Sequence, residues 1–184
     1  MTKREPKSQP TWTAVKAKLD AFDRAGLVDL LHDLYAAHKD NEAFLHARFG
    51  LGDDVLEPYK KTIDRWLWPD PLRNQDTSVS KAKQSIAHYK KAVGDPAGLT
   101  ELMVFYCEQA AGYCHDIGYQ DEGFFDALVR MFEQALQSTN TLPANGRDSF
   151  IARLDRVRKI SHAFGYGVGD DMDYLLAKCV KHSG

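Results

Sequence analysis

The stretch Asp95-Pro-Ala-Gly-Leu-Thr-Glu-Leu-Met-Val-Phe-Tyr-Cys-Glu-Gln-Ala-Ala-Gly-Tyr-Cys-His-Asp-Ile-Gly118 decides the fold class. Asp95 followed by Pro96 reads as an N-cap with proline at the first helical position, where no backbone partner is lost, and Gly118 reads as the stop. Between them Leu99, Leu102, Met103, Tyr106, Ala110, Tyr113, Cys114 and Ile117 share one stripe, while Val104, Phe105 and Ala111 fall elsewhere on the circumference. A helix apolar on more than one side is buried on more than one side. The segment therefore predicts the central helix of an all-α domain.

The same period recurs on both sides of it. Upstream, Thr13 to Phe22 places Val15, Leu19 and Phe22 on one face, and Leu27 to His38 sets Leu27, Leu30, Leu31, Leu34, Tyr35 and His38 in a stripe about 140° wide, opposite Asp29, His32 and Asp33. Asp40 is expected to cap a short helix carrying Phe44, Leu45 and Phe49, which Gly50 ends. Asp53 or Asp54 opens the next, with Val55, Leu56, Tyr59, Ile63, Trp66 and Leu67 inward, until Pro69 and Pro71 stop it. Ser80 is expected to cap a basic helix reaching Val93, with Ala82, Ile86, Tyr89 and Val93 inward.

Downstream, Asp121 caps a helix lined by Phe124, Phe125, Leu128, Val129, Phe132, Ala135 and Leu136. A loop from Thr139 to Gly146 precedes a helix starting near Asp148, and after a glycine-rich turn Asp170 or Asp171 opens the last, to about His182. No period-2 run of β-branched residues intervenes, so the expectation is all-α, about nine helices in an antiparallel bundle or a short α-solenoid. Leu27-Val-Asp-Leu-Leu31 and Leu99-Thr-Glu-Leu-Met103 echo each other, but two matches do not make a repeat.

Length and composition bound the rest. The 184 residues predict one domain over 11–184, after a disordered leader at 1–10, with a proline-containing polar loop at 69–78 that reads as a linker between helical halves rather than a domain boundary. The chain is 43% hydrophobic, and no apolar run approaches the roughly 20 residues of a membrane span. The expected setting is thus soluble and cytoplasmic, without a membrane partner. Cys107 and Cys114 sit two turns apart on one helix, roughly 10 Å, and with Cys179 they make an odd number, so reduced thiols are expected. A net charge of −2 supplies no global attraction to nucleic acid.

Leu30-Leu-His-Asp-Leu-Tyr35, Asn41 with Phe44-Leu45, Tyr59-Lys60-Lys61 before Ile63, Glu101-Leu-Met, and Phe124-Phe125 with Met131-Phe-Glu-Gln-Ala-Leu136 form a pattern over residues 27–136. It resembles a family of small bacterial all-helical proteins known as a domain of unknown function. The resemblance implies a helical fold and brings no activity and no catalytic residue with it.

Chemistry-bearing groups are sparse. His115, Asp116, Asp121 and Glu122 beside Cys114 hold the densest set of metal-ligand types, with His115, Asp116 and Glu122 as the candidates. The set straddles a helix end and the next helix start, where an N-cap acid, a first-turn acid and a last-turn histidine serve capping and the helix dipole. Gly165-Tyr-Gly-Val-Gly169 lacks the Lys-Ser/Thr of a phosphate loop and runs into Asp170-Asp171, so it reads as a helix stop and hinge.

Lys81, Lys83, Lys90 and Lys91, with His88, spread around a solvated face, and Arg147, Arg153, Arg156, Arg158 and Lys159 lie on a second basic helix. Trp66 is expected in the core, whereas Trp68, about 200° around from it, is the candidate surface anchor. His38, on an apolar face, reads as a structural histidine, and no local signature of nucleophilic catalysis occurs.

No cofactor is expected. The leading expectation is a non-enzymatic interaction or regulatory protein that presents its helices to another protein, with Trp68 at the contact. One alternative is a nucleic-acid binder using helices 80–93 and 147–163 through Lys83, Lys90, Arg153 and Arg156. The other is a metal-dependent enzyme centred on His115.

Overall fold

Periodic apolar residues between caps and glycines fold into nine α-helices, with no strand among the described residues, which are 9–73 and 75–181 of a computed structural model. Most of the leader expected at 1–10, and the end of the last helix at His182, lie outside them. The helices are α1 (Trp12–Leu19), α2 (Arg24–Ala37), α3 (Lys39–Phe49), α4 (Glu57–Leu67), α5 (Val79–Ala92), α6 (Pro96–Ile117), α7 (Glu122–Thr139), α8 (Ala144–Ser161) and α9 (Val168–Lys181). The chain divides into two compact units, one ending at Glu42 and the other beginning at Ala43, within α3.

In the larger unit α6 is the axis, packed by α4, α5, α7 and α8, while α9 closes over α7 and α8. Its sequence dictates this. Leu102, Tyr106, Ala110 and Tyr113 are buried on one side and Val104, Cys107 and Ala111 on others, which a surface helix could not satisfy. The helices in closest contact are all first or second neighbours along the chain, a pattern that an antiparallel bundle and a short helical stack share. Around α6 Ile63 and Leu67 from α4, Ile86 and Tyr89 from α5, Phe125 and Phe132 from α7, and Leu154 from α8 complete one core.

The caps follow the chemistry of exposed amide donors. Asp95 accepts from Gly98 N at 2.7 Å, Asp121 accepts from Phe124 N at 2.7 Å, and Gly118 ends α6 in the left-handed region at φ 71°. Five helix starts differ from expectation. Helix α3 begins at Lys39, with Asp40 inside its first turn rather than before it, and α4 begins at Glu57 after Leu56, Asp54 accepting from Leu56 N instead of capping the helix. Ser78, not Ser80, caps α5, accepting from Lys81 N. Helix α8 begins at Ala144, because Pro143 fixes the turn without a side-chain cap, and α9 begins at Val168, with Asp170 and Asp171 inside its first turn rather than before it. The loop after α4 contains a short 3-10 turn, Pro71–Arg73, and Ser78 N donates back to Trp66 O at 2.9 Å.

The smaller unit is held locally. Thr11 and Asp23 cap α1 and α2. A Cβ built on Gly26 would lie 2.8 Å from Phe22 Cδ1, so Phe22 lies against the first turn of α2. No residue of α1 or α2 is buried. The apolar stripe of α2 therefore contributes no core residue: Leu27, Leu31 and Leu34 are exposed, as is Val28 beside them. His38 is exposed too, its Nδ1 accepting from Asp40 N at 3.1 Å.

Candidate functional site

The densest chemistry in the larger unit is a half-buried ionic cluster spanning three helices. Arg153, on α8, reaches α6 and donates through Nε and Nη2 to Glu108 at 2.8 and 2.7 Å, and through Nη1 and Nη2 to Glu101. Lys60, on α4, closes the cluster on Glu101 Oε1 at 2.7 Å. Glu101 and Glu108 are seven residues apart on a helix, so both point the same way, and one guanidinium fork spans them. Burial works to raise the Glu101 pKa, but the hydrogen bonds from Arg153 and Lys60 prevail and leave it below the usual carboxylate range. The hydrogen bonds to Glu108 and Glu101 raise the Arg153 pKa against the opposing pull of burial. With both carboxylates hydrogen-bonded to Arg153, and Glu101 to Lys60 as well, the cluster clamps α4, α6 and α8 together.

That geometry withdraws Arg153 from the basic face considered above. Arg156 is exposed, Lys90 is exposed and Lys83 is half-buried. Burial lowers the Lys83 pKa, and Arg130 adds to the shift. The two basic helices have different neighbours: α5 packs on α4 and α6, and α8 on α6, α7 and α9. Arg158 and Lys159 pair with Asp155 on their own helix, and Arg158 also pairs with Asp173 on α9.

Trp68 is half-buried against the core, with its ring on the α6 backbone where Gly112 leaves room: a Cβ built there would lie 2.4 Å from Trp68 Cζ3. It packs within its own unit. Trp66 carries Lys81 Nζ at 3.8 Å and the Arg65 guanidinium at 4.5 Å from its ring centroid.

His115 and Asp116 are exposed and bond each other, His115 Nδ1 to Asp116 Oδ1 at 2.8 Å, while Asp121 is occupied as the α7 cap and Glu122 is exposed in the first turn. Burial pushes the Cys114 thiol up to about 12. Among the described residues the one group with metal-ligand spacing is elsewhere, at His162, Asp170 and Asp173. There Asp173 Oδ1 already accepts from Arg158 Nη1 and lies 3.2 Å from His162 Nε2. A cation entering would meet the guanidinium, so this group serves the α8–α9 junction.

A pocket of ≈ 230 Å³ opens between α7 and α9, lined by Glu133, Leu136, Gln137, Asn140, Lys178 and Cys179 among others. That is below the usual range for small-molecule sites. The Cys179 thiol is turned toward Leu136 O and Asn140 Oδ1.

The remaining candidate is the surface of α1 and α2. At 100° per residue Leu27, Leu30, Leu31 and Leu34 occupy an arc of about 100° on α2, and Trp12, Val15 and Leu19 one of about 60° on α1, flanked by Lys16 and Lys18. Trp12 is 70% exposed and Leu31 52%. The periodicity of these stripes was legible in the sequence; their exposure was not. No helix among the described residues is long and apolar enough to cross a membrane. No family model, no curated protein and no solved structure matches this chain.

Proposed function

We propose that this is a non-enzymatic interaction or regulatory protein that docks a protein partner on the apolar faces of α1 and α2. One observation carries the reading: neither helix has a buried residue, although each gathers large apolar side chains on one arc. Isolated helices of 8 and 14 residues are marginal in water, and most helical stability in proteins comes from packing an apolar face. Exposed apolar patches of several hundred Å² mark interaction sites. Cys107, Cys114 and Cys179 form no disulfide among the described residues, which favours a reducing, cytoplasmic setting.

The test is a comparison of tagged full-length protein with the Leu31→Asp/Leu34→Asp variant, each used to capture proteins from a lysate of its own source. A protein retained by the former and lost from the latter is expected. An identical set from both, or none from either, refutes the reading.

A further inference from the structure

We draw no further inference here: the strongest candidate, the pocket of ≈ 230 Å³ between α7 and α9, rests on the lone Cys179, whose thiol is turned toward Leu136 O and Asn140 Oδ1, and nothing in the structure points to a ligand for it.

Discussion

Replacing Arg153 by Met tests whether the ionic cluster on α6 is a clamp or a spare patch of charge. The substitution keeps the aliphatic stem and deletes the fork, leaving Glu101 and Glu108, with side chains 18% and 29% exposed, where their hydrogen bonds had been; only Lys60 remains on Glu101. Removing one partner of a fully buried pair costs 3–5 kcal/mol, and partial exposure here reduces that to about 2–3 kcal/mol. In a chain of this size the loss lowers the melting temperature by about 5–10 °C. The sign of the pH dependence follows from Glu101, whose pKa lies below its unfolded value because Arg153 and Lys60 outweigh burial. A depressed carboxylate contributes stability that is complete above its unfolded pKa, near 4.5, and is lost as pH falls through its folded pKa. Without Arg153 burial prevails and that contribution shrinks, so the gap between wild type and Arg153→Met is widest at neutral pH and narrows below about pH 4.5. Urea melts from pH 3.5 to 7.5 measure it, and a further Glu108→Gln substitution is expected to recover part of the loss. A cost under about 0.5 kcal/mol at pH 7, or a gap independent of pH, refutes the clamp.

Gly112→Ala would ordinarily strengthen a helix interior by about 1 kcal/mol, but its methyl falls within 2.4 Å of Trp68 Cζ3, so it is expected to destabilise by about 1–2 kcal/mol and to become stabilising in a Trp68→Ala background. Urea melts of the four proteins check that reversal, and the same sign in both backgrounds would mean that Trp68 does not pack there. Burial pushes the Cys107 and Cys114 thiols well up, the latter to about 12, so neither is expected to react with a thiol reagent at pH 8 until the chain is unfolded. Rapid modification of either residue in the native protein, mapped by mass spectrometry, would contradict that.

The central helix was legible because three independent signals coincide in one segment. A cap that supplies a carboxylate to free amides, a glycine tolerant of φ 71°, and apolar residues around more than one side all specify α6. Where a helix start lacks such a cap, as at Ala144 and Val168, its boundary slipped by several residues. Ser78 and Ser80 could each cap α5, and their hydroxyls lie 3.1 Å apart. Only the backbone angles at Ser78, extended at φ −149° and ψ 93°, distinguish the one that does.

The candidate sites were less legible, for a different reason. Arg153 reads as part of a run of basic residues until its partners are known, and those lie 52 and 45 positions away, at Glu101 and Glu108. The missed signal was on α6: two acids seven residues apart on a helix otherwise destined for the interior demand buried cations opposite them. The stripe of α2 teaches the converse. Periodicity established that Leu27, Leu30, Leu31 and Leu34 share a face, but spacing alone does not say what that face meets. Phe125, Leu128, Val129 and Phe132 repeat the same spacing on α7 and lie in or against the core, whereas Leu27, Leu31 and Leu34 are exposed, because burial is decided by the elements packed opposite a face and not by the face itself.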